Sequence, residues 1–340
     1  MKTWQPLLTV MVGVALLCSL KAADPLPEPP APAEAGTLIV IDGTGKEQKL
    51  KSWKFAAGVR PLGWLAPAGA EKDAKDEPKP KGERTKPPAG PEAIVFREEN
   101  STDFQEGVLT LIPVDRLRVI DYDNEKRTVA IRVATNEKPA DDALLTGATK
   151  FLGVNRLTIE AEVDKGDMGI AEVKYLGGGT DKPIRGLRFA APKPPAAAPE
   201  SRLAFVVVEG KNNVQKVADL QPLYQFADGG ERLLPHLMFK KTLKIDVAKI
   251  QKIMAVEGRV AEGKEMDVTL KDGNSDTLTL LKTITLDGKQ ATLAGVLGRV
   301  PAGYKLFPVH TFTEIQFDEY KEPKPEKKDD KPEKKNDKVE

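Results

Sequence analysis

Cysteine is almost missing from this 340-residue chain: there is one, Cys18, and it lies in an apolar stretch near the N-terminus. With that stretch removed, no thiol is left for a disulfide, a nucleophile or a metal ligand. Histidine is nearly as scarce. His236 (LLPHLM) and His310 (FPVHTF) sit in unrelated contexts, neither with a partner at the spacing of a zinc site. Excess charge is lacking too, since 52 Lys and Arg face 51 Asp and Glu, and this even mixture is unlike the basic surface of a nucleic-acid binder. There is no G-x-S-x-G elbow and no H-E-x-x-H. Long amphipathic helical patterns are absent as well, because Pro, Gly and β-branched residues interrupt every candidate. The expectation is a non-enzymatic chain with no catalytic, cofactor or metal residues to name.

The N-terminus has the order of a secretory signal peptide over 1–23: Lys2, an uncharged apolar run from Leu7 to Leu20, then Ala22 and Ala23. Fourteen helical residues reach roughly 21 Å, short of the ~30 Å hydrocarbon core. Cleavage after Ala22 or Ala23 is therefore expected, with an uncleaved anchor as the alternative because Leu20 and Lys21 depart from the preferred small residues. Lipidation at Cys18 is disfavoured by Leu17, where the lipid-attachment motif needs a small residue. The rest has no second apolar stretch, so no transmembrane span is expected in the mature chain, which would reside in the periplasm, at the cell surface or outside the cell.

Four segments are too polar and proline-rich to offset their ordering entropy of ~1–2 kcal/mol per residue. They are a Pro/Ala tether at 24–35, an insertion at 66–91 (APAGAEKDAKDEPKPKGERTKPPAGP), a linker at 190–200 (AAPKPPAAAPE) and a charged tail at 320–340. They are read as disordered, and they leave two folded blocks, 36–189 and 201–319.

Each block opens on the same motif. LIVIDGTGKEQKL (Leu38 to Leu50) aligns without a gap on FVVVEGKNNVQKV (Phe205 to Val217), 167 residues later, with Val40, Gly43, Gln48 and Lys49 repeated as Val207, Gly210, Gln215 and Lys216. Alternation followed by Asp-Gly or Glu-Gly predicts a strand entering a hairpin turn, a signal repeated at LKDGN (270–274) and LDGK (286–289). A second pattern spaces apolar residues three, three and two apart: Val114, Leu117, Ile120, Tyr122; Val247, Ile250, Ile253, Ala255; Val309, Phe312, Ile315, Phe317; and Asp167, Ile170, Val173, Tyr175. That spacing predicts strand, one helical turn, strand. The fold expected is all-β: two homologous β-domains from an internal duplication, each of two small SH3-like, barrel or sandwich modules with short helical turns. In that frame Leu117 corresponds to Ile250 and Val173 to Ile315, and Val40 and Val207 each face a core.

Few residues suggest chemistry. Gly177 to Thr180 (GGGT) follows a strand but lacks the Gly-Lys-Ser/Thr ending of a phosphate loop and reads as an ordinary loop. Asn100 heads a formal glycosylation triplet. Glu172 and Glu314 occupy matching slots of the second pattern, but duplication places them in separate units, whereas paired carboxylates must share one cleft ~5–10 Å across. Lys240, Lys241, Lys244, Lys249 and Lys252 alternate with buried-type residues and offer a face for an anionic cell-envelope polymer or a protein partner. The competing reading is that these lysines protect exposed strands.

The strings FREENST (96–102) and GVLTLIPVDRLRVIDYD (107–123), with the Pro/Lys-rich tail, resemble uncharacterised secreted proteins of planctomycete-type bacteria over roughly residues 90 to 190. The resemblance supplies no activity, and no functional residue is carried over from it. The functional expectation is an exported binding or structural module, with a secreted hydrolase whose carboxylates assemble only in the fold as the alternative. Intact mass on the exported protein checks the leader: a chain beginning at Ala23 or Asp24 is expected, and one that retains Met1 and partitions into detergent would show an anchor instead.

Overall fold

The computed structural model describes residues 33, 36–65, 91–97, 107–135, 141–153, 156–164, 170–178, 183–190, 201–208, 213–258, 260–261 and 263–321. The leader, nearly all of the tether, insertion, linker and tail, Asn100 and Gly210 lie outside them. The chain is all-β. Strands of the first block are β1 (Leu38–Asp42), β2 (Glu47–Leu50), β3 (Ser52–Ala57), β4 (Val59–Pro61), β5 (Glu92–Arg97), β6 (Leu109–Pro113), β7 (Leu117–Asp123), β8 (Thr128–Val133), β9 (Ala143–Ala148), β10 (Thr158–Asp164), β11 (Ile170–Gly177) and β12 (Pro183–Phe189). The second block holds β13 (Leu203–Val208), β14 (Asn213–Phe226), β15 (Glu231–Leu233), β16 (His236–Phe239), β17 (Leu243–Asp246), β18 (Ile250–Ala255), β19 (Glu265–Leu270), β20 (Ser275–Thr279), β21 (Thr283–Leu286), β22 (Lys289–Val300), β23 (Gly303–Phe307) and β24 (Phe312–Phe317). Among the described residues the helical segments are single three-residue turns, and no helix is long and apolar enough to cross a membrane.

The two blocks pair their strands in the same order: β2-β1-β12-β7-β8-β9 in the first and β14-β13-β24-β18-β19-β20 in the second. Register agrees in detail. Val40 lies opposite Leu187, which lies opposite Ile120; Val206 lies opposite Ile315, which lies opposite Ile253. All six are buried and face a core. The β1–β12 ladder slips at Ile41/Asp42, and β13–β24 slips at Val207/Val208. The expected helical turns are present at Val114–Arg116 and Val247–Lys249, closed by the Leu117 and Ile250 amides donating to the carbonyls of Val114 and Val247. Leu117 and Ile250 then both precede a bulge. A third turn spans Val309–Thr311, and residues 165–169 of the fourth copy are outside the described set.

Two expected equivalences are corrected. Val40 corresponds to Val206, not Val207, which is only half-buried. The connection after β13 is one residue longer than that after β1, because Ile41 pairs Glu47 across five residues and Val207 pairs Val214 across six. A gapless alignment therefore matches the second strand and misses the first by one, which exchanges its two faces. Likewise Ile315 corresponds to Leu187 on β12, because both pair with the opening strand and with β18 or β7; Val173 is on β11. In the turns, Asp287 and Gly288 adopt the positive φ (48° and 77°) expected of LDGK, whereas after β1 the left-handed residue is Gly45 (φ 87°) rather than Gly43.

The expected modules are embedded in larger sheets of nine, thirteen and two strands. β4, β5 and β6 come from the first block but extend the second block's sheet, since Leu111 pairs Tyr304 and Leu109 pairs Leu306 on β23. The hairpin β5–β6 is consequently buried on both faces. Ile94, Phe96 and Ile112 enter the core of the first block, and Ala93, Val95 and Leu111 meet Leu223, Leu297 and Leu306 of the second in a separate seam with Leu62. A strand covered on both sides has no solvated face, which is why AIVF reads as an unbroken apolar run and LTLIP is interrupted only by the buried Thr110. Arg60 on β4 and Glu231 on β15 form a largely buried ion pair across the same seam, and Trp64 meets Tyr304 edge-to-face at 6.1 Å. The 190–200 linker thus separates the blocks in sequence but not in the sheet.

A shared seam predicts one unfolding unit. Leu306→Ala is expected to destabilise by about 2–5 kcal/mol through the cavity it leaves, and Glu231→Leu by about 3–5 kcal/mol through the unpaired Arg60 charge. Hydrogen exchange at Ile120 and Ile253 should accelerate together in either variant, whereas acceleration confined to Ile253 would show that the blocks unfold separately.

Candidate functional site

The buried faces of the two six-stranded sheets match, so the solvent faces are where the blocks differ. In the first block, Ala130, Asp121, Gly186 and Ile41 stand side by side on β8, β7, β12 and β1. A Cβ at Gly186 would lie 3.2 Å from Asp121 Oδ1 and 3.3 Å from Ile41 Cδ1, so the absent side chain leaves space for the carboxylate. The corresponding row of the second block is Asp267, Met254, Glu314 and Val207. There a methionine and a glutamate fill the places of Asp121 and Gly186.

Asp121 stands at the wall of an open cleft of about 1110 Å³, which Asp123, Thr128, Thr146 and Arg185 also line. Local geometry holds its rim. Asp42 Oδ1 accepts from the Thr44 amide and hydroxyl and from the Lys46 amide, which shapes the turn carrying Gly43 at the lip. Asn124 Nδ2 donates to the Ile184 carbonyl at 3.1 Å and ties the β7–β8 turn to β12. Asp121 and Asp123, two apart on one strand, share a face.

Their electrostatics diverge. The surrounding walls reduce hydration of Asp121 and raise its carboxyl above the ordinary aspartate value, against the opposing pull of Arg132, Arg188 and Arg185. Asp123 is held below that value by the Lys126 amide, which donates at 2.9 Å, and then by the Lys126 ammonium at 3.1 Å. Asp121 therefore titrates at a higher pH than Asp123. Such an arrangement offers two carboxylate groups of unlike proton affinity to hydroxyl groups, while Arg185 offers a guanidinium to an anion.

The residues singled out from sequence are dispersed. Lys240 and Lys241 form the β16–β17 turn, with Lys244 just inside β17, and all three are exposed. Lys249 lies in the next helical turn, while Lys252 on β18 is engaged at 2.8 Å by Glu314. The five therefore do not make one uniform basic face: three cluster at a hairpin end and one is neutralised. Glu172 is exposed on β11, opposite Glu162, and Glu314 belongs to β24, so these two are not equivalent positions. His236 is half-buried on β16 and His310 lies in the turn before β24. Gly177 of GGGT is a packing glycine, since a Cβ there would overlap Tyr122 Oη. Among the described residues no three or more His, Cys, Asp or Glu converge as a metal site. Sequence reasoning missed Asp121, Asp123, Arg185 and Gly186; the available signal was an aspartate alternating with Ile120 and Tyr122.

The opposed shifts predict separate titrations, which carboxyl-carbon NMR would resolve: Asp121 above the ordinary aspartate value and Asp123 below it. Because the folded chain holds the Asp121 proton more tightly than the unfolded chain, the contribution of Asp121 to stability falls as pH rises through that window. Asp121→Asn is therefore expected to be more stable than the parent at neutral pH, with the difference vanishing in acid; a less stable variant at neutral pH would contradict the desolvation. Comparison of the chain with protein-family models, with curated proteins and with solved structures finds no match.

Proposed function

We propose that the chain is an exported, non-enzymatic β-repeat protein in which a duplicated sheet is the scaffold and the solvent faces are the contact surfaces. The observation that carries this reading is the contrast between the two sides of the sheets. Core-facing pairs such as Val40–Leu187–Ile120 and Val206–Ile315–Ile253 keep one register, while the outward row changes from Ala130, Asp121, Gly186 to Asp267, Met254, Glu314. Copies that share their inside and differ outside are suited to presenting two surfaces on one frame. An anionic envelope polymer fits the exposed Lys240, Lys241 and Lys244 at the hairpin end and Arg185 in the cleft.

A secreted hydrolase is the second reading, favoured by one observation: Asp121 and Asp123 share a cleft with their proton affinities moved in opposite directions. Retention on immobilised polygalacturonate separates the two. Binding that salt reverses and that Lys240→Glu/Lys241→Glu/Lys244→Glu weakens by about tenfold or more is expected. No retention at low salt would end the polyanion reading, and release of reducing ends that Asp121→Asn abolishes would replace the binding module with the hydrolase.

A further inference from the structure

Among the strand edges without a partner in the described residues are two whose counterparts in the other block are paired. β11 pairs β10 along its whole length but meets β12 only through Leu176 and Gly177, so its second edge is open from Ile170 to Tyr175. β17 pairs β16 alone. The counterpart of β11 is β23, because Ile159 opposite Tyr175 matches Val296 opposite Phe307, all four buried. The counterpart of β17 is β6, since each runs directly into the helical turn before β18 or β7. Within the chain, β6 and β23 pair with each other. One directional contact is thus made internally, and its two complementary halves, β11 and β17, are left open.

We propose that a second copy of the chain occupies these edges, β17 of one molecule adding to β11 of the next in the register that β6 and β23 use. Leu111 opposite Tyr304 and Thr110 opposite Lys305 become Lys244 opposite Glu172 and Leu243 opposite Val173. The transferred register therefore places an exposed lysine against an exposed glutamate. Two of the exposed large apolar residues also lie on these strands, Ile170 at 73% and Leu243 at 42% relative exposure. A contact between unlike surfaces does not close on itself by two-fold symmetry, so repetition gives a head-to-tail series.

The counterparts of the seam residues set its strength. Leu297 and Leu306 meet Val95 and Leu111 internally; their places are taken by Glu160, Lys174, Met238 and Lys244, of which Met238 is already buried in the second block's own core. Glu160 is already shared by Lys54 and Lys174, each at 3.3 Å. Ala171 stands where Gly303 lets the Leu111 carbonyl approach. Charges in place of an apolar seam, with an added methyl, make the intermolecular contact reversible and salt-sensitive.

Sedimentation velocity on the full chain over a concentration series tests this. At low salt the weight-average mass should rise beyond twice the monomer, and in about 0.5 M salt, where charges are screened within a few ångströms, it should return to the monomer. Glu172→Lys and Lys244→Glu should each hold the chain monomeric with unchanged melting, and Glu172→Lys/Lys244→Glu should restore assembly. A monomer at every concentration, a plateau at the dimer, or assembly that Glu172→Lys leaves unchanged would overturn the proposal.

Discussion

The pairing of β6 with β23 is the contact on which the rest of the molecule depends. It carries a hairpin of the first block onto the sheet of the second and so brings Leu62, Val95 and Leu111 against Leu223, Leu297 and Leu306. Without it the hairpin β5–β6 would expose one of its two apolar faces. Its counterpart β16–β17 shows the alternative state of the same element: Leu237, Met238 and Phe239 enter a core, but His236, Lys244 and Asp246 stand where Ala93, Leu111 and Pro113 are in the first hairpin. One supersecondary unit is apolar on both sides where it is sandwiched and carries charged residues on its outer strand, β17, where it meets water.

The core-facing sides account for the register that the two sheets share. A slip of one residue would turn Val40 or Val206 outward, bring Ile41 or Val207 inward and break the buried rows with Leu187–Ile120 and Ile315–Ile253, so the register is held wherever a core lies beneath. Bulges recur at corresponding places for the same reason: at Ile41/Asp42 and Val207/Val208 they re-aim the chain without disturbing the buried residues that precede them. Nothing comparable constrains the solvent face. Asp121, beside Gly186, lines a cleft in one block, whereas Met254 and Glu314 occupy the corresponding places in the other, with Glu314 engaged by Lys252. Chemistry is free to diverge on that side.

Much of this is legible in the residues alone. Alternation, Asp-Gly turns and the three-three-two spacing point to strands joined by one-turn helices, and Leu117 and Ile250 do stand at matching places after matching turns. The match at Val207 fails because one added residue in a turn inverts a strand, and a gapless alignment cannot register it. The match at Val173 fails because β11 and β12 are both apolar strands with similar spacing, and only their partners distinguish them. The site is harder to see. Asp121 looks like any outward strand residue, since its desolvation depends on walls supplied by β8, β12 and two turns.

The sequence by itself determined the local grammar: an all-β chain and a motif written twice. These follow from side-chain periodicity and turn chemistry, which act over a few residues. Only the tertiary structure decided which edges pair, that the blocks share a seam, and that Asp121, Arg185 and Gly43 line one cleft. Strand pairing is chosen among many apolar edges of similar propensity by the burial that the whole assembly achieves, and that quantity has no address in any short stretch of residues.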